Sequence, residues 1–154
     1  MNNQGIGSNV ICQVGLVVRD IEHSIEAYSR VFGVPKPEVI LTDGREIAHT
    51  QYRGEPTDAR AKLAFFDMGQ VNLELIEPIG GPSTWHEFLE QRGEGVHHIA
   101  FFVKGTDQVV AFLGENGISV IQQGDYTGGR YTYVDSAPAL GVILELLENL
   151  DTPK

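Results

Sequence analysis

The sequence predicts an α+β fold: two tandem βαβββ modules whose strands form one curved, cup-like mixed sheet, with the helices outside. Three observations predict it. Val71-Asn72-Leu73-Glu74-Leu75-Ile76-Glu77 returns as Val142-Ile143-Leu144-Glu145-Leu146-Leu147-Glu148, identical at five of seven positions. The segment Ile11–Val18 likewise sits over Val96–Val103, and both are strand-like and followed by a helix-like stretch. Finally, each half reads as strand, helix, then three strands. Units of this size bury too little surface to stand alone, so the halves must share one core.

The elements follow in order. Val10 to Val18 is a buried strand. Asp20 is a helix N-cap, and Ile21, Ile25, Tyr28, Val31 and Phe32 recur at helical spacing up to Gly33. Glu38–Leu41 is a short strand, Asp43-Gly44 a turn, and Glu46–Arg53 a further strand. Ala61–Met68 and Val71–Glu77 form a hairpin across Gly69-Gln70. Ser83–Arg92 is a short helix with Trp85, Phe88 and Leu89 on its apolar side. Val96–Val103 opens the second half, and Thr106 caps a helix that ends at Asn116-Gly117. Ile118–Gln122, Arg130–Asp135 and Gly141–Glu148 complete the set. Residues 1–9 are expected to be disordered, and the last four are a polar tail. Residues 10–148 form one domain: module 1 (10–78), a helix-containing linker (79–94) and module 2 (95–148).

The repeat carries an odd chemistry. In each copy a glutamate stands between two leucines, so alternation puts Glu74 and Glu145 on the face opposite the leucines. A carboxylate within an apolar strand is costly to bury unless something pairs with it. In the register of the opening strands, Gln13 matches His98. One imidazole, two carboxylates and one amide oxygen, two from each half, suit a single divalent ion such as Zn, Ni, Co or Mn. Taken singly, a strand glutamate is more often solvated and a lone histidine more often structural. Joint placement at equivalent positions favours a site on the concave face.

The neighbouring polar residues read differently. His97 adjoins His98 and is expected on the other face of the strand, in the core or an interface. Cys12 reads as a small buried hydrophobe. Glu77 and Glu148 end their strands and are expected in solvent. The glycine-rich run Gly124–Arg130 fits two descriptions equally: a hairpin turn, or a rim from which Arg130 pairs a substrate carboxylate or phosphate.

Bulk properties narrow the function. The chain has 154 residues, a net charge of −10 and one cysteine. The charge argues against nucleic acid or an anionic membrane surface as partner. A lone cysteine allows no intrachain disulfide and fits a reducing compartment. There is no apolar run of membrane-spanning length and no basic-then-apolar leader. A cytoplasmic protein with a small-molecule substrate is the expectation.

These segments and their order resemble the vicinal oxygen chelate superfamily, which includes glyoxalase I, methylmalonyl-CoA epimerase, extradiol dioxygenases and bleomycin-resistance proteins. The resemblance runs from Val10 to Leu147. "LELIEP" (73–78), "FLEQRGEGVHHIAFFV" (88–103) and "GVILEL" (141–146) look like epimerase segments. It implies a metal held by Gln13, Glu74, His98 and Glu145, and a homodimer. The epimerase usually has histidine at the position of Gln13 and glutamine at that of Glu74; the set found here is more similar to that of some glyoxalase I enzymes. The epimerase's further glutamate has no counterpart on Ala61–Phe66. The resemblance implies a metal-dependent isomerase or epimerase of a small carbonyl or acyl-CoA-type substrate. It would act through a metal-stabilised enolate, with Glu145 and Glu74 as the catalytic carboxylates. A lactoylglutathione lyase of the glyoxalase I type and a non-catalytic drug-binding protein are the alternatives.

Overall fold

The structure, a computed structural model, describes residues 5–150. Residues 1–4 of the expected disordered segment, and the C-terminal tail, lie outside the described residues. Within 5–9, Ile6 packs against an apolar cluster of the second half.

Strands β1 (Gln13–Val17), β2 (Ile40–Leu41), β5 (Arg60–Asp67) and β6 (Asn72–Ile79) come from the first half. The second contributes β7 (Gly95–Phe102), β8 (Val120–Tyr126), β9 (Gly129–Val134) and β10 (Ile143–Asn149). With a small hairpin, β3 (Gln51–Tyr52) and β4 (Glu55–Pro56), they form one curled sheet in the order β2-β5-β6-β1-β7-β10-β9-β8-β3-β4. The halves mirror each other across the antiparallel pair β1 and β7. On either side lies a parallel neighbour, β6 beside β1 and β10 beside β7. The α+β, two-module cup predicted from the repeat is the observed fold.

Helices α1 (Ile21–Phe32) and α4 (Thr106–Glu115) hold corresponding places. Ile21 and Ile25 of α1 bury against Ala64, Phe66 and Leu75. Val109 and Leu113 of α4 bury against Phe101, Leu144 and Leu146. Leu75 and Leu146 flank the repeated glutamates, so the helices cover the face that Glu74 and Glu145 leave. Each such fully buried aliphatic contributes about 1.5–3 kcal/mol. A third cluster, with Ile76, Trp85 and Tyr133, lies on the glutamate side. Trp85 belongs to α3 (Thr84–Arg92), which starts at the cap Ser83.

The first half departs from prediction between its short strand and β5. Glu46–Arg53 is not a strand. Arg45–Ala48 makes a helical turn, α2, closed by His49 in a left-handed conformation at φ 52°. Only Gln51 and Tyr52 are extended, and they pair with Gln122 and Gln123 of β8 in the other half. Apolar residues here are too few to declare a period, and tertiary pairing decides the outcome. A last helical turn, α5 (Ala137–Leu140), leads into β10.

Glu77 and Glu148 are not solvated strand ends. Glu77 accepts the Ile21 amide at the start of α1, 3.0 Å away. Glu148 accepts the Gly105 and Thr106 amides and the Thr106 hydroxyl at the start of α4. Thr106 therefore does not cap α4 through its own side chain; a carboxylate from β10 satisfies the free helix donors and opposes the helix dipole.

Candidate metal centre

Four adjacent central strands, β6, β1, β7 and β10, each supply one of the four predicted side chains. Register brings them level. Gly15 on β1 stands between Glu74 on β6 and His98 on β7, and Glu145 pairs with Ala100 two residues beyond His98. Glu74, His98 and Glu145 are all buried, and each offers a ligand atom within 4.8 Å of the others.

The imidazole Nε2 of His98 lies 3.4 Å from Glu74 Oε1, 3.3 Å from Glu145 Oε1 and 3.4 Å from Gln13 Oε1. One N–H cannot point at three oxygens. Glu74 Oε1 and Glu145 Oε1 are in fact without a hydrogen-bond donor among the described residues, although both are shut off from water. Donors bound to one ion at about 2.1 Å in tetrahedral array stand about 3.4 Å apart. His98 Nε2 has that spacing to each of the three oxygens, and the cluster offers the hard-and-borderline donor set a divalent ion takes, with two carboxylates to balance its charge. The residues fit the ion.

Electrostatics tell the same story. Burial raises the pKa of Glu74, and the charge of Glu145 adds to it. Burial works against a charged His98, but Glu145 and Glu74 outweigh it and raise its pKa to about 10. The cluster is thus built to hold positive charge at Nε2.

His97 is not where alternation puts it. Gly15 pairs with His98 and Leu16 with Val96, so His97 is an extra residue, a β-bulge. The bulge turns its ring towards its neighbour: Nδ1 of His97 is 3.0 Å from Nδ1 of His98. Nε2 of His97 is 3.1 Å from the Thr84 hydroxyl. Burial, then the charge of His98, push the His97 pKa well below its usual value, so the ring is neutral. It can accept from His98 Nδ1–H while donating to Thr84. Cys12 is half-buried, with its thiol donating to the Ala100 carbonyl.

Above the cluster opens a cavity of about 580 Å³, within the range of small-molecule sites. Gln13, Glu74 and Glu145 line its floor, and Phe65, Trp85, Tyr131 and Tyr133 its walls. Tyr133 Oη accepts from Trp85 Nε1 at 3.0 Å, and Tyr131 Oη accepts from Gln122 Nε2 at 3.0 Å. Burial raises both phenol pKa values, so each keeps a proton to donate. Tyr131 and Tyr133 alternate with Thr132 on β9, which puts both on the cavity face. Arg130 is elsewhere. Its guanidinium pairs with Glu148 and Asp107, and it does not line the cavity. Glu46 lies on the exposed α2 and Glu55 on the edge strand β4; neither lines the cavity.

Residues 12–134 match the profile of the glyoxalase/bleomycin resistance protein/dioxygenase superfamily. The chain belongs to that superfamily. Over 95 residues this superfamily member is 35% identical to the uncharacterized protein YqjC of Bacillus subtilis (strain 168), covering 59% of this chain and 67% of that one. Among solved structures, it resembles the hypothetical protein BH1468 of Bacillus halodurans C-125, at a TM-score of 0.64 and 24% identity over 94% of this chain and 96% of that one. The methylmalonyl-CoA epimerase of Mycobacterium tuberculosis matches at 0.63 and 21%, over 98% and 93% of the two chains. The Streptomyces coelicolor methylmalonyl-CoA epimerase, in complex with 2-nitronate-propionyl-CoA, matches at 0.62 and 26%, over 92% and 97%. No helix among the described residues is long and apolar enough to cross a membrane.

Proposed function

We propose that this superfamily member is a divalent-metal-dependent isomerase or epimerase of a small carbonyl compound. The observation that carries this reading is the buried Glu74–His98–Glu145 group with two carboxylate oxygens lacking donors. Gln13, Glu74, His98 and Glu145 would hold the ion. Bound there, a divalent cation supplies Lewis acidity towards a carbonyl oxygen.

The remaining steps belong to the chain. A glutamate, Glu145 or Glu74, takes the proton from the carbon beside the carbonyl and returns it to the other face or to the neighbouring carbon. Tyr131 and Tyr133 donate their phenol protons towards the oxygen on which negative charge develops. The apolar walls keep water from the carbanion. The epimerases it resembles supply a precedent for proton removal and return beside a carbonyl.

Sequestration without chemistry is a second reading, favoured by the aromatic lining. Two buried carboxylate oxygens without donors count against it, because a mere binder gains nothing from their cost. The test is metal analysis. The purified protein should carry, or take up after chelation, about one divalent ion per chain. Glu145→Ala should lose it. Absence of any recoverable ion in the parent protein would sink the proposal.

A further inference from the structure

We infer that the cavity takes an uncharged, largely apolar carbonyl compound, and not a coenzyme A thioester or another anion. The inference rests on the metal-dependent reading for the orientation of the carbonyl, but its grounds are separate.

The first ground is charge. No lysine or arginine among the described residues lines the cavity, whereas Asp43 and Asp125 lie at its mouth and Glu74 and Glu145 at its floor. The basic side chains that come close through their partners are occupied. Arg60 gives Nε and a terminal nitrogen to the Thr42 carbonyl, at 2.9 and 2.7 Å, and it is Thr42, not Arg60, that faces the cavity. Arg130 is held by Glu148 and Asp107. Asp125 stands across the strand pair from Arg130, but that guanidinium is turned to Glu148 and Asp107, and the side chain paired with Asp125 is His49, at 2.9 Å on an exposed surface. A divalent ion on the floor leaves no surplus positive charge, since Glu74 and Glu145 balance it. Phosphates or free carboxylates need fixed cations for recognition, and a chain of net charge −10 repels them at distance.

The second ground is shape and polarity. Phe65, Trp85, Phe102, Tyr126, Tyr131 and Tyr133 present aromatic surface to the cavity. At the mouth, Ile40 and Leu41 are half exposed on the two-residue strand β2. They carry the apolar surface of the cavity out to its rim. A pantetheine arm could lie along such a wall, but no lysine or arginine among the cavity-lining residues is there to pair with nucleotide phosphates. An uncharged aryl or branched-alkyl ketone meets both requirements: ring against the aromatic wall, carbonyl towards Gln13, His98 and the glutamates.

The experiment is calorimetric titration of the zinc-loaded full chain with three probes: 2-hydroxyacetophenone, its anionic analogue benzoylformate, and propionyl-CoA. The neutral ketone should bind at least about tenfold more tightly than benzoylformate. Propionyl-CoA should give no saturable heat. Asp125→Lys, a surface change, should tighten benzoylformate several-fold. Propionyl-CoA or benzoylformate binding as tightly as the neutral ketone overturns the inference, and so does no saturable binding of the ketone. Zinc content is measured on the same sample. A zinc-free protein sinks the metal reading alone, because the order of neutral over anionic probe is still read from the same titrations.

Discussion

The imidazole of His98 lies directly over Gly15. A Cβ built on Gly15 would stand 2.1 Å from Cε1, 2.5 Å from Nε2 and 2.6 Å from Nδ1 of that ring. The glycine is needed for space and not for backbone conformation, since its φ is not in the left-handed region. Gly15→Ala should therefore push the ring off its position between the two glutamates. Overpacking of this kind costs about 1–3 kcal/mol, and metal content should fall with it. A Gly15→Ala protein with the parent's melting temperature and full metal content would show that the ring has room to move.

His97 fixes the ring from the other side. With Nε2 of His98 facing the carboxylates, Nδ1–H points at His97 Nδ1, and His97 in turn at Thr84. This selects one tautomer of His98 and one ring orientation. His97→Leu comes close in volume and removes both bonds. It should weaken zinc affinity by about 10–100-fold, read by competition with a zinc-binding dye. Unchanged affinity in a folded variant would reduce His97 to packing.

Metal should also show in stability. An ion that binds only the folded state at a hundred times its Kd adds about 2.7 kcal/mol. For a chain of this length that is a rise in Tm of about 5–10 °C. Zinc added to the chelator-treated protein should raise Tm by that much, and Glu145→Ala should abolish the rise. An equal rise in Glu145→Ala would place the ion elsewhere.

The sequence made the cup and its four polar residues legible because both are written twice. A seven-residue repeat sets strand, face and register for Glu74 and Glu145, and the matching of Ile11–Val18 with Val96–Val103 does so for Gln13 and His98. What it hid was non-repeated. A bulge at His97 overrides alternation without a sequence mark, and Glu46–Arg53 takes its form from pairing with β8. Gly15 was open to reading: a glycine inside the apolar run Val14–Val18 commonly marks a close approach. Glu77 and Glu148 were misjudged although they are repeated too, because a helix start reached from a distant strand leaves no local capping signature.

That last pair gives a pH prediction with a definite sign. The Thr106 hydroxyl, followed by the Gly105 and Thr106 amides, hold the Glu148 carboxyl down to about 2, against an ordinary 4.5. Arg130 adds to it. A carboxylate with a depressed pKa contributes stability above its unfolded value, and that contribution is lost as pH falls towards the folded value. The window here runs from about pH 4.5 down to about 2. Glu148→Gln imitates the protonated group at every pH while keeping an acceptor oxygen. It should cost about 1–2 kcal/mol at pH 7, and the deficit should shrink as pH is lowered through the window. Urea midpoints of parent and variant at neutral pH and near pH 3 provide the measurement. A deficit that stays constant would assign the role of Glu148 to packing, since only a charged carboxylate holding the start of α4 makes the difference depend on pH.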